Sequence, residues 1–164
     1  MQPDLVVRHS NRLPEKDNLQ LIYKSLLAEH KSLSVMLISV DEFSDIVDAH
    51  GRNAGDDILD KIVAYLAEQM REQDVLGRWS SAEFIILLPH TGPHVAFDMA
   101  HNLRHGIATL PPLQELPDVV ITASIGISYT ASPRAMHEVT AHAEDALYQA
   151  KRDGSNLVRM QLID

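Results

Sequence analysis

The sequence predicts an α+β fold, with helices packed on a central, mostly antiparallel sheet. Three observations carry that prediction. Stretches with apolar residues three and four apart are mixed with short apolar or alternating runs, so helices and strands share one chain. Two strand-like runs lie so close together that they form an antiparallel hairpin. Equal βα units are few, which argues against a doubly wound parallel sheet. The chain has 164 residues, 45% hydrophobic and 23% charged, a globular composition of one domain's size.

The elements follow in order. Glu15 to about His30 reads as a helix, because Leu19, Ile22, Tyr23, Leu26 and Leu27 share a face. Leu33–Asp41 is apolar and unbroken by Gly or Pro, as a buried strand requires. A short helix starts at Glu42, and Gly51 and Gly55 flank a loop. Asp56–Arg71 is strongly periodic through Ile58, Leu59, Ile62, Val63, Leu66 and Met70. Asp74–Trp79 and Glu83–Leu88 are the hairpin strands, with the turn at Ser80–Ser81. A helix runs from Pro93 to about Thr109, and Pro111, Pro112 and Pro117 mark a loop. Val119–Thr130 alternates, with Ala123, Ile125 and Ile127 on one side and Thr122, Ser124 and Ser128 on the other. Ala135–Arg152 is the last helix, and Asn156–Leu162 a last strand.

Charge and composition narrow the function. With 14 Lys+Arg against 23 Asp+Glu, the net charge is −9. Long polyanions such as nucleic acid or an anionic membrane are therefore poor partners, while one basic pocket can still hold a small anion. The absence of cysteine excludes disulfides, thiolate metal sites and Cys nucleophiles, and fits a reducing compartment. No apolar run is long enough to span a bilayer, and no basic-then-apolar leader pattern opens the chain.

Several motifs then fall in register. Ala143-Glu144-Asp145-Ala146-Leu147-Tyr148-Gln149-Ala150-Lys151, followed by Gly154 and Asn156, resembles the A-D-x-A-L-Y-x-A-K-x-x-G-R-N stretch of GGDEF domains, the diguanylate cyclase family. Ser124-Ile125-Gly126-Ile127 resembles that family's S-I-G-I strand, and Gly51-Arg52-Asn53-Ala54-Gly55-Asp56 its G-H-x-x-G-D segment. Asp4, Asn11 and Arg12 stand where the opening D-x-L-T-G-L-x-N-R motif keeps its ends. The resemblance implies a ferredoxin-like, nucleotidyl-cyclase-like core. It also implies a bacterial, cytoplasmic signalling protein whose active members join two GTP into cyclic di-GMP, using Mg²⁺ held by carboxylates.

At the family's signature the sequence departs. The hairpin reads Ser80-Ser81-Ala82-Glu83-Phe84, with two serines for the glycines and Ala82 at a metal position. Aligning Asp41 and Phe43 on the family's D-x-D-x-F stretch puts Ser39 at the other metal position. A hydroxyl and a methyl are poor replacements for anionic oxygen on Mg²⁺. Val47 replaces a guanine-binding Asn, Ser44 a phosphate-facing Lys, and Ser155 the Arg of G-R-N. Asp56 and Lys151 remain as residual nucleotide-site residues. They read equally well as a helix cap and as a cation at a helix C-terminus. The reading is thus non-catalytic, with no cofactor required. The alternative is a weak cyclase, with Mg²⁺ on a shifted site of Asp41 and Glu83.

One element of the family is kept. Arg71-Glu72-Gln73-Asp74 matches the R-x-x-D product site, five residues before the signature. A guanidinium fork suits guanine or phosphate, and a carboxylate suits the guanine N–H groups. Arg71 and Asp74 are therefore the expected cyclic di-GMP site, on an exposed turn. A helix-end Arg and a turn Asp also have ordinary structural explanations. The remaining partners implied are a second copy, or a neighbouring domain of a longer chain, membrane-attached or not, of which this is a fragment. A nucleotide-free regulatory module is the other reading. His94, Asp98, His101 and His105 form a solvent-facing stripe that could take a metal adventitiously.

Overall fold

The computed structural model describes residues 13–163, so Asp4, Asn11 and Arg12 lie outside the described residues. The elements are α1 (Lys16–His30), β1 (Leu33–Val40), α2 (Phe43–His50), α3 (Arg52–Gln69), β2 (Val75–Ser80), β3 (Glu83–Pro89), α4 (Pro93–Ala108), β4 (Ala123–Thr130), α5 (Met136–Arg152) and β5 (Val158–Met160). They build one five-stranded sheet in the order β2-β3-β1-β4-β5. Every neighbouring pair is antiparallel except β4–β5.

β1 sits at the centre, and all eight of its residues are buried. Both faces of a covered central strand must be apolar, which explains its unbroken run. Its even residues Met36, Ile38 and Val40 meet Ile58, Ile62 and Leu66 of α3 and Ala100, Leu103 and Ile107 of α4 in one core. Its odd residues Leu33, Val35 and Leu37 meet Leu19, Tyr23 and Leu27 of α1 and Val139, Ala143 and Leu147 of α5 in the other.

β4 keeps the predicted alternation, but its polar side is buried too. Ser124, Gly126 and Ser128 face α5 at the level of Ser39, Leu37 and Val35. A Cβ at Gly126 would stand 2.3 Å from the carbonyl oxygen of Ala143 and 2.4 Å from the nitrogen of Leu147. Small residues are required because the α5 backbone lies directly on this strand. One result is that Ser128 Oγ has no hydrogen-bond partner among the described residues.

Four expected boundaries shift. Gly55 is inside α3 rather than at the edge of a loop. It is glycine because α2 crosses there: a Cβ would lie 2.7 Å from a Val47 methyl and 3.0 Å from the Phe43 ring. The hairpin turn is Ser81–Ala82, with Ser80 paired to Glu83 and a bulge at Trp79. β4 starts at Ala123, because Val40 is its last partner before β1 turns at Glu42, where φ is 55°. β5 is only three residues long, since Ser155 and Asn156 both take left-handed backbone, with φ of 65° and 54°.

Candidate functional site

The end of β1, the β2–β3 hairpin, the start of α2 and the last turn of α5 enclose a cleft of about 340 Å³. Ser39, Glu42, Ser44, Ala82, Glu83 and Lys151 line it, together with Asp45. These are the positions that the sequence marks as the eroded nucleotide and metal site. Ser39 pairs with both Glu83 and Ser124, so the three share one face of the sheet. Glu83 Oε1 accepts from Ser80 Oγ at 2.7 Å. The Arg78 guanidinium donates to the carbonyl oxygens of Ser80 and Ser81, both at 2.7 Å, and braces the turn from outside. Neither Ser81 nor Ala82 has a positive φ, so this turn forms without glycine.

These residues do not fit Mg²⁺. Ser39 offers a neutral hydroxyl and Ala82 a methyl, where a hard dication needs anionic oxygens. Among the described residues no group of three or more His, Asp or Glu is gathered to hold a metal ion. The cleft carries Glu42, Asp45 and Glu83 against one cation, Lys151. That balance repels a triphosphate.

Asp41 and Glu83 are engaged with different partners. Asp41 is 8% exposed. Its Oδ1 accepts from Ser124 Oγ at 2.7 Å. Its Oδ2 accepts from Thr122 Oγ1 at 2.7 Å and from the Asn156 backbone N–H at 3.0 Å. Arg104 Nη1 donates to Asn156 Oδ1 at 2.9 Å and so joins this network. Asp41 thereby ties β1, β4 and the entry to β5 into one corner. Nothing in the sequence pattern marked Thr122 and Asn156 as its partners, since hydrogen bonds across such separations leave no local signal.

Arg71 and Asp74 do come together, but not on an open turn. α3 ends at Gln69, and the two residues close a short connection into β2. The Asp74 carboxylate is fully buried, whereas Arg71 is 37% exposed. Asp74 accepts from Arg71 Nη2 at 2.9 Å, from Nε at 3.0 and 3.2 Å, and from the Arg71 backbone N–H at 2.9 Å. The Asp74 N–H returns a bond to the Arg71 carbonyl at 3.0 Å. Arg71 Nη2 also donates to Thr91 Oγ1 at 2.6 Å, and Thr91 is tied to Pro89 and Ser34. The expected exposure of Asp74 is therefore corrected. The side chain is covered at a connection whose Arg71 is also held by Thr91, just past the end of β3. Sequence reasoning did not find Thr91.

Of the other candidates, Asp56 is exposed in the second turn of α3, which begins at Arg52, so it does not cap that helix. Val47 packs on Gly55 and presents no polar atom to a base. Lys151 lies in the last turn of α5 as expected. Close by, hydrogen bonding from Arg159 at 2.9 Å holds the Asp153 carboxyl below its ordinary pKa. His94, Asp98, His101 and His105 are all exposed on α4, and His101 meets Phe97 edge-on at 4.8 Å. Trp79 lies beneath Lys16, whose ammonium is 4.5 Å from the ring centre.

A mixed sheet in this order, with a hairpin at the mouth of a cleft, defines a nucleotidyl-cyclase-like α+β domain. The sequence profile described as "Diguanylate cyclase, GGDEF domain" matches residues 4–157, and the chain belongs to the GGDEF domain family. It is 34% identical over 132 residues to diguanylate cyclase DgcM of Escherichia coli, spanning 80% of this chain but 32% of that relative. It superposes on the active GGEEF domain of a diguanylate cyclase from Vibrio cholerae with a TM-score of 0.83 at 26% identity, covering 90% of this chain and 97% of that one. The GGDEF domain of DgcB from Caulobacter crescentus, solved in complex with c-di-GMP, shares the fold with a TM-score of 0.84 at 19% identity, covering 91% of each chain. No helix among the described residues is long and apolar enough to cross a membrane.

Proposed function

We propose that this chain is a non-catalytic GGDEF domain that acts in cyclic di-GMP signalling by binding the dinucleotide at Arg71. The observation that carries the loss of catalysis is the cleft, where Ser39 and Ala82 stand at the metal positions beside three carboxylates. Binding at Arg71 is supported by the register of the Arg71–Asp74 stretch, which ends five residues before Ser80, and by the partly exposed guanidinium. Asp74, being buried, is the positioning residue. It takes the Nε and Nη2 edge of the fork and leaves Nη1 turned away from that pair.

Calorimetry with cyclic di-GMP tests the binding half. Arg71→Lys is the informative variant, because it keeps a cation beside Asp74 but removes the planar fork. Heat of binding in the native chain, lost in Arg71→Lys, supports the reading. No heat at high micromolar ligand, or unchanged binding in the variant, refutes it and leaves a nucleotide-free interaction module. Incubation with GTP and Mg²⁺ tests the other half. Sustained cyclic di-GMP formation by the native chain would overturn the loss of catalysis.

A further inference from the structure

Between α1 and the start of α5 lies a second cleft of about 570 Å³, which shares no lining residue with the hairpin cleft. Its volume is in the range of ligand-binding clefts, roughly 300–1,000 Å³. Its floor is apolar: Tyr23 and Leu27 are buried at 1% and 5% exposure, and Pro133 adds to them. Its rim is cationic, formed by Lys24, Lys31 and Arg134. On a chain with 14 Lys+Arg and a net charge of −9, three of those cations border this one cleft.

The rim is built rather than accidental. Lys24 lies on α1 and Lys31 at its C-cap, and both border the cleft. Lys31 caps α1 in the left-handed region, with φ of 67°, and its Nζ donates to the Ala28 carbonyl at 2.8 Å. Tyr23 Oη donates to the Arg134 carbonyl at 2.8 Å and pins the loop to α1. Burial pushes the Tyr23 hydroxyl up to about 12, so it adds no negative charge to the floor. The carboxylate facing this region is Glu138, which pairs with Arg134 at 3.4 Å. Lys24 and Lys31 are thus the cations left to meet a ligand. α5 starts at Met136, and its N-cap Ala135 gives no side-chain cap, so the helix end adds partial positive charge.

We infer that this cleft docks an acidic, amphipathic peptide segment of a protein partner. Apolar side chains of the segment cover Tyr23 and Leu27, and its carboxylates meet Lys24 and Lys31. A free phosphate would leave the apolar floor unused. A flat anionic bilayer does not enter a concave cleft, and the acidic surface repels it beyond the local field. A short acidic segment responds to that local field, because screening limits it to roughly 8 Å at physiological salt.

A selection tests this. A random dodecapeptide library displayed on phage is panned on the whole chain at physiological salt, and the enriched peptides are titrated by fluorescence polarisation. The expected winners combine Asp or Glu with large apolar residues. Their binding should weaken tenfold or more in Lys24→Glu/Lys31→Glu, and stay unchanged in Arg52→Glu, an exposed charge reversal on α3. If that double variant does not fold by circular dichroism, Lys24→Gln/Lys31→Gln replaces it. Failure to enrich acidic peptides, or equal binding by the variant, overturns the proposal. So does displacement of the peptide by inorganic phosphate or phosphatidylserine vesicles that bind the chain with the same lysine dependence.

Discussion

Arg71→Ala removes the cation from a buried carboxylate, and the structure allows the loss to be sized. Asp74 is fully buried and receives three side-chain contacts from Arg71, at 2.9, 3.0 and 3.2 Å. Breaking a buried ion pair by deleting one partner costs about 3–5 kcal/mol, mostly because the remaining charge is left without compensation. Here the guanidinium is 37% exposed, so water enters the space it leaves. The Arg71 backbone N–H also still donates to Asp74 in the variant. The expected destabilisation is therefore about 2–3 kcal/mol, or roughly 5–10 °C in melting temperature for a domain of this size. Urea denaturation of the native chain, Arg71→Ala, Asp74→Ala and the double variant provides the check. Asp74→Ala should cost less than Arg71→Ala, because the freed guanidinium can reach solvent. The double variant should be more stable than the sum of the singles implies, by about 1 kcal/mol or more. Arg71→Ala within about 0.5 kcal/mol of the native chain, or strict additivity, would refute the buried-pair account. A destabilisation of the expected size also means that loss of ligand binding in Arg71→Ala proves nothing alone, which is why Arg71→Lys is the binding probe.

Three further outcomes are expected. Gly126→Ala should cost about 3 kcal/mol or prevent folding, because its Cβ would meet α5 backbone that cannot step aside; a melting temperature equal to that of the native chain would contradict the direct strand–helix packing. Stability should fall as pH rises from 10 towards 12, since unfolded Tyr23 loses its proton near 10 while the folded hydroxyl holds it to about 12. The unfolded state then binds fewer protons, so the slope of stability against pH is negative, and integrates to roughly 2–3 kcal/mol; Tyr23→Phe should flatten the curve in alkaline urea titrations. Ser39→Asp/Ala82→Asp should create divalent-cation binding that the native cleft lacks, seen as Mn²⁺-enhanced water relaxation; equal Mn²⁺ binding by the native chain would refute the metal-site argument.

Much of the architecture was legible because local pattern and burial agree. The 3.6-residue period of Ile58–Leu66 and the apolar run of β1 each answer to one face or one layer of core. The boundaries that moved were set by neighbours. Gly55 looked like a loop residue, since a glycine needed for close helix packing carries the same letter as one needed for a turn. The site was legible only in part. The substitutions at Ser39, Val47 and Ala82 could be read from the sequence, and the structure explains how Val47 fits, packed against Gly55. The burial of Asp74 could not be read, because it depends on how the connection into β2 folds back on Arg71, which Thr91 holds from 20 residues away.

Asp41 shows why a carboxylate beside the family's metal positions is weak support for a metal. Three donors converge on it, from Thr122, Ser124 and Asn156, across sequence separations of 81, 83 and 115 residues. A cation placed on Asp41 would share its oxygens with all three, and a donor stripped of its acceptor there costs about 1–3 kcal/mol where it is buried, as Ser124 is. Arg104 adds to the resistance, since it holds Asn156 in the left-handed conformation that aims its N–H at the carboxylate. The corner therefore has a reason to keep its aspartate that involves no catalysis. The same reasoning separates the chain's two kinds of change. Ser39 and Ala82 offer no carboxylate to the cleft, and the fold closes without one there. Asp41 stands where its oxygens close the junction of β1, β4 and β5, so the fold has its own use for this residue whatever the cleft does.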